Sequence, residues 1–229
     1  MIDAARALRE YEPMLAETKT LDSALAAHEA VYRAIRRRIM HDQIEPGQAL
    51  TLRGIGEQYG VSMTPAREAV RRLAAEGALS ISTSGRVSTP ELRAERIEEL
   101  AAVRALIEPE LASRALPRVY PALVDRLQAI NGTIAEVVAK GDAVGYIRAN
   151  LDFHRTLYLR AQAPAILAMA ETVWLQLGPT MRKLYGKLQR TEVPHQHRLI
   201  LSALRAGDEP GLRLAVRADV TRGLRLLIA

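Results

Sequence analysis

The stretch that decides the fold runs from Leu50 to Leu79, LTLRGIGEQYGVSMTPAREAVRRLAAEGAL. It reads as a short helix, a turn at Tyr59-Gly60-Val61, and a second helix that opens at Thr64-Pro65 and closes at Gly77. Thr64 can cap free backbone amides, and Pro65 suits a first helical position, where no donor is needed. Along the second helix Ala66, Val70, Leu73 and Ala74 recur with helical spacing as a buried stripe, whereas Arg67 and Arg71 lie one turn apart on another face. A short helix, a glycine turn and a second helix with arginines near its start suit insertion into a major groove. The segment is a helix-turn-helix candidate.

On its N-terminal side, residues 28–41 form an amphipathic helix with Val31, Ala34, Ile35 and Ile39 on the apolar stripe. Arg36, Arg37 and Arg38 crowd the other positions, as a solvated face or as phosphate contacts. Glu45-Pro46-Gly47 forces a turn, because Pro46 fixes φ and Gly47 admits left-handed geometry. The arm of residues 1–27 is weakly helical in pattern. On the C-terminal side, Leu79, Ile81 and Val87 flank Ser82-Thr83-Ser84-Gly85-Arg86, two β-prone pieces around a Ser/Gly turn. A hairpin directly after a recognition helix is a wing, with Arg86 near its tip. Thr89-Pro90 ends the unit, since the residue before proline disfavours helix.

Composition agrees with two domains. The chain has 229 residues, 48% of them hydrophobic, enough for two cores. A net charge of +6 and a sequence pI near 9.9 favour an anionic partner. There is no cysteine, which excludes disulfides and thiolate metal sites. The charged N-terminus lacks an apolar signal core, and no run reaches the roughly 18 apolar residues of a membrane span. The expectation is a soluble cytoplasmic protein without a membrane partner.

Residues 28–89, with their helix, Glu45-Pro46-Gly47 turn, LTLRGIGEQYGVS, TPAREAVRRLAAEGAL and glycine wing, resemble the winged-helix domain of GntR-type bacterial transcription regulators. The resemblance implies a double-stranded DNA operator as partner, touched by Arg53, Ser62, Thr64, Arg67 and Gly85, with Arg71 one turn beyond Arg67. It also marks a departure. Where the family usually carries arginine between the serine and the threonine, this chain has Met63, which cannot make arginine's bidentate contact to guanine, worth about 1–3 kcal/mol of discrimination.

Beyond Pro90 the pattern is helical almost to the end. Apolar residues recur through Ile97, Leu100, Ile107 and Leu111, then Leu123, Leu127, Ile130, Ile134 and Val138, and further helices read as 142–161, 164–187, 194–206 and 209–227. Five or six amphipathic helices with short connections make an antiparallel bundle, so the expected fold is mostly α. The sequon Asn131-Gly132-Thr133 is idle in a chain without a signal peptide.

Polar residues interrupt those stripes. Asn150 and His154 lie four apart, with Tyr146 on the same face; His197 joins Ile200, Leu201 and Leu204; Asp219 breaks the stripe of Leu212, Val216 and Gly223. Polar groups on apolar stripes need partners, because an unpaired buried one costs about 1–3 kcal/mol. These residues can serve each other as a satisfied core cluster or hold a metal. Arg104 falls in step with Ile97, Leu100 and Leu111, four before Glu108. It reads either as a buried ion pair or as a grip for a carboxylate or phosphate. Arg182, Tyr185 and Trp174 are further pocket candidates by position.

AVRALIEPELASRAL, NLDFHRTLY and HRLILSALRAGD make this half look like the FCD subgroup of the same family, whose C-terminal domain (here residues 90–229) binds a small effector and dimerises. Many members hold a divalent ion such as Zn or Ni with an Asp or Asn four before a histidine and two later histidines. Those positions are Asn150, His154, His197 and Asp219, where an amide replaces the acid and a carboxylate replaces the last histidine. The resemblance implies a homodimeric repressor on an inverted-repeat operator, released by a small organic acid, for which Arg104, Tyr146 and Arg182 are the candidate contacts by position. The rival readings are a metal-dependent enzyme using His154, His197 and Asp219 to activate water, and a nonspecific architectural DNA protein. The first leaves the winged helix unexplained, and the second leaves the bundle without a task.

Overall fold

The computed structural model describes residues 26–41, 43–188 and 196–228. The expected arm, residues 1–27, falls almost wholly outside them. The described residues form two compact units, one from those up to Arg37 together with Gln48–Ser88, the other from those between Arg38 and Gly47 together with those from Thr89 onward.

The first unit is a winged helix-turn-helix. Helix α1 runs through residues 26–40, those up to Arg37 belonging to this unit. Strand β1 (Ala49–Leu50) leads into α2 (Leu52–Tyr59), which Thr51 caps by accepting a hydrogen bond from the Gly54 amide at 3.0 Å. Gly60, at φ 65°, ends α2 in the left-handed geometry that glycine adopts without strain. Gly56 lets the turn close tightly: the Val61 amide donates to its carbonyl at 3.0 Å, and a Cβ there would come within 2.8 Å of the Val61 carbonyl oxygen.

Recognition helix α3 spans Met63–Ala75 and buries Pro65, Ala66, Ala69, Val70 and Leu73. This corrects the expected start. Ser62 is the N-cap residue, though its side chain makes no capping bond, and Thr64 and Pro65 are the second and third helical residues. The first four amides of a helix lack intrahelical acceptors, so proline loses nothing at the third position and does not mark which of these begins the helix. Strands β2 (Ser80–Ile81) and β3 (Val87–Ser88) make the wing, paired Ser80 to Ser88 and Ile81 to Val87. β1 joins the other side of β3, so the sheet has three strands in the order β1-β3-β2 where the sequence shows a hairpin.

The second unit holds seven helices among the described residues: α4 (Ala94–Ala115), α5 (Pro121–Ala139), α6 (Ala143–Tyr158), α7 (Pro164–Leu177), α8 (Met181–Leu188), α9 (Gln196–Ala206) and α10 (Glu209–Ile228). α10 packs along α4 and against α9, while α5 pairs with α6. The core gathers Leu111, Leu127, Phe153, Leu157, Trp174, Ile200, Leu212 and Val216. The helix expected over 164–187 is two, broken by a 3-10 turn at Gly178–Thr180. Pro179 supplies no amide to the α-helical ladder, and a Cβ at Gly178 would collide with the Ile39 carbonyl oxygen. Among the described residues, no helix is long and apolar enough to cross a membrane.

Candidate metal centre and nucleic-acid interface

Three helices of the second unit bring His154 (α6), His197 (α9) and Asp219 (α10) together, with one ligand atom of each within 4.8 Å of the others. Asp219 Oδ2 lies 3.0 Å from His154 Nε2, and Oδ1 lies 3.7 Å from His197 Nε2. Both imidazoles are buried, and neither Nε2 has a hydrogen-bond partner among the described residues. The rings are held by their surroundings. His197 stacks on Phe153 with centroids 4.0 Å apart, and His154 meets His197 edge-on at 5.3 Å.

The other ring nitrogens decide where the protons sit. Tyr158 donates its hydroxyl hydrogen to Glu108 Oε2 at 3.0 Å, so towards His154 Nδ1, 3.2 Å away, it acts as acceptor. His197 Nδ1 faces another acceptor, Asn131 Oδ1, at 3.2 Å. The tautomer that satisfies both acceptors puts the proton on Nδ1 and turns Nε2 towards Asp219. In that tautomer two nitrogen lone pairs and a carboxylate converge, while the 3.0 Å separation of His154 Nε2 and Asp219 Oδ2 also suits a hydrogen bond; against the opposing effect of burial, His197 and His154 hold the Asp219 carboxyl below its ordinary pKa. A cation at that point satisfies all three, and two imidazoles with a carboxylate match a divalent transition-metal site that leaves a position open.

Glu108, fully buried on α4, organises the surrounding network. It accepts Arg104 Nε at 2.5 Å and Trp174 Nε1 at 2.8 Å on Oε1, and Arg104 Nη2 at 3.3 Å and Tyr158 on Oε2. The ion-pair reading of Arg104 is thus realised. Tyr146 is buried and tilted against Tyr185 at 5.3 Å; burial, reinforced by Asp219, pushes its hydroxyl pKa well up. Asn150 stands half-buried one turn before His154, and Arg182 is exposed on α8. Tyr158 and Asn131 were missed as site residues. Tyr158 follows His154 by four residues, a readable spacing, whereas Asn131 reaches His197 from a helix far away in sequence.

Burial lowers the His197 pKa to about 4, with Asp219 opposing and His154 reinforcing the shift. The unfolded histidine, near 6.5, takes up a proton before the folded one does. The stability that burying a neutral His197 contributes to the chelator-treated protein is therefore fully present above about pH 6.5 and is lost as the pH drops towards 4. The urea midpoint is expected to drop clearly between pH 7 and pH 5; an unchanged midpoint would contradict a buried neutral His197.

In the first unit, Ser62, Met63, Thr64, Arg67 and Arg71 are all exposed along the start of α3. Arg67 has no ion-pair partner among the described residues, and Arg71 pairs with Glu68 at 3.1 Å. Arg53, exposed on α2, pairs with Glu57 at 2.9 Å. Gly85 turns the wing at φ 81°, its amide donating to the Ser82 carbonyl at 2.9 Å. Arg72 is structural by contrast: it lies 3.6 Å over the Tyr32 ring and bridges Glu29 at 2.7 Å and Glu76 at 3.4 Å, tying α3 to α1. Arg36 of the basic triplet also turns inward, its Nε 3.9 Å from Glu76.

A winged helix with an exposed arginine-bearing recognition helix defines a DNA-binding unit, followed here by a helical unit with an inward polar cluster. The comparisons place it more closely. Residues 27–87 match the bacterial regulatory proteins of the gntR family and residues 99–222 match the FCD domain, so the chain belongs to the GntR family and carries an FCD domain. It is 26% identical over 196 residues to the HTH-type transcriptional regulator McbR of Escherichia coli, covering 84% of this chain and 89% of that protein. It is 26% identical over 209 residues to the gluconate operon transcriptional repressor of Bacillus subtilis, covering 87% and 84%. The structure of E. coli McbR superposes with a TM-score of 0.78 at 26% identity, covering 88% of this chain and 96% of that one. A putative GntR regulator from Rhodococcus, at 21% identity, shares the fold with a TM-score of 0.75, covering 89% and 99%. The protein is a transcription regulator and not an enzyme.

Proposed function

We propose that the protein is a cytoplasmic, homodimeric repressor that binds an inverted-repeat operator and is released by a small carboxylate held at a metal centre in the FCD domain. The observation that carries the sensory half is the convergence of His154 Nε2, His197 Nε2 and the Asp219 carboxylate, with one ligand atom of each within 4.8 Å of the others and both histidines buried. His154, His197 and Asp219, with Asn150 one turn away, would hold a Zn- or Ni-like divalent ion. Bound there, the ion supplies positive charge for an organic acid. Tyr146, buried beside this cluster, and Arg104 are the chain's own candidates to orient the acid. Arg182 is a less favoured contact, since it is exposed.

The DNA-binding half rests on the exposed face of α3 and the wing, with Arg53, Ser62, Thr64, Arg67, Arg71 and Gly85 meeting the duplex. Two-fold symmetry of the dimer sets the half-site spacing. An effector alters operator affinity only as far as it binds the two dimer states differently. Operator affinity of the metal-loaded protein, titrated with a panel of small mono- and dicarboxylates, tests the reading. At least one acid is expected to weaken binding fivefold or more, within the roughly 5–150-fold range of allosteric coupling, and to lose that effect after chelation. Indifference to the whole panel and to chelation would refute it.

A further inference from the structure

The winged unit presents two large apolar side chains to solvent among its described residues, Met63 at 50% exposure and Ile81 at 46%. Neither position is arbitrary. Met63 is the first residue of α3 and Ile81 is on the wing, the two elements a winged helix lays on DNA. At about 100° per residue, Met63, Arg67, Arg71 and Thr64 fall within roughly a quarter to a third of a turn. Buried Pro65, Ala69 and Leu73 occupy the opposite side, and buried Ala66 and Val70 border the face on the side of Met63, which stands at its edge. Met63 thus leads the exposed face that carries the arginines.

We propose that Met63 reads the 5-methyl group of a thymine in the major groove. The assignment rests on the reading of the chain as a DNA-binding regulator and names a base specificity for it. A methionine side chain offers no hydrogen-bond donor and a flexible apolar thioether. Opposite guanine it would cover the O6 and N7 acceptors without satisfying them, and opposite cytosine it would cover the N4 donor. Desolvating those groups unpaired is unfavourable. Thymine alone presents an apolar group in the groove, which needs contact and exclusion of water rather than a bond. Thr64 and Arg67, beside it on the same face, keep the polar part of the readout.

The test uses the full-length protein. Its preferred sites are first selected from random duplexes. Each thymine of the selected site is then replaced singly by uracil, which removes only the methyl group, and affinity is measured for the natural protein, Met63→Ala and Ile81→Ala. One thymine in each half of the site is expected to lose about fourfold in affinity on replacement, the worth of one buried methyl-sized group. That loss should vanish in Met63→Ala and persist in Ile81→Ala. Met63→Arg should shift the selected base at the same position to guanine. An enriched site at which uracil substitution affects the natural protein and Met63→Ala alike would overturn the assignment and leave the regulator reading standing. Selection that enriches no sequence would overturn both.

Discussion

Replacement of Asp219 by asparagine is expected to weaken the protein's hold on a divalent cation and to destabilise the metal-free protein. In the natural chain the Asp219 carboxylate faces His154 Nε2 at 3.0 Å and His197 Nε2 at 3.7 Å, and both nitrogens are buried without a hydrogen-bond partner. An amide of the same shape places its NH2 at only one of the two carboxylate oxygen positions, so its carbonyl oxygen faces the other nitrogen. Burial opposes the Asp219 charge, yet His197, His154 and Arg104 outweigh it and lower the Asp219 pKa, so the charge contributes stability at neutral pH that the amide removes. The chelator-treated variant is therefore expected to be less stable than the natural protein. Losing an anionic ligand should also cost on the order of a hundredfold or more in metal affinity, above the roughly 10–100-fold typical of an outer-shell partner. Urea denaturation with chelator and a competition titration with Zn test the two halves. A structural carboxylate with no metal role predicts the same loss of stability but an unchanged Zn affinity.

Replacement of Arg67 by alanine should separate specific from nonspecific DNA binding. Arg67 lies exposed one turn into α3 without an ion-pair partner among the described residues, so its removal disturbs no packing. Its planar guanidinium can grip guanine through two hydrogen bonds, and losing such a contact costs about 1–3 kcal/mol, or about 5–150-fold. Nonspecific affinity draws on the phosphate contacts of the whole surface and should fall far less. Equal losses on operator and on random duplex would remove Arg67 from base reading. The fold should be unaffected, because Arg72, not Arg67, ties α3 to α1 through Tyr32, Glu29 and Glu76.

The legible part of the protein is the part written in local chemistry. Gly60 and Thr51 end and begin α2 by backbone requirements that any reader of Leu50–Leu79 can apply. The start of α3 is less legible, because proline is tolerated throughout a first helical turn and points to no single residue in it. The third strand, Ala49–Leu50, is too short to show a period of two. At Gly178-Pro179 the breaker residues stand in plain view, but apolar spacing continues from Leu175 and Leu177 to Met181 and Leu184 and bridges them on paper.

The polar cluster divides in the same way. Arg104 and Glu108, and His154 and Tyr158, are pairs four apart on single helices, so spacing reveals them. That Glu108 also receives Trp174 and Tyr158, and that Asn131 fixes the His197 ring, depends on where five helices meet. No pattern along the chain encodes that meeting. The proton positions, and with them the case for a cation, follow only once the partners of both Nδ1 atoms are known.

The most direct test of the central claim is the metal content of the protein purified without chelators, determined by elemental analysis alongside a His154→Ala, His197→Ala double variant. The account predicts close to one divalent transition-metal ion per chain in the natural protein and essentially none in the variant. An ion-free natural protein that also fails to take up Zn or Ni on titration, or equal metal content in both proteins, would contradict it.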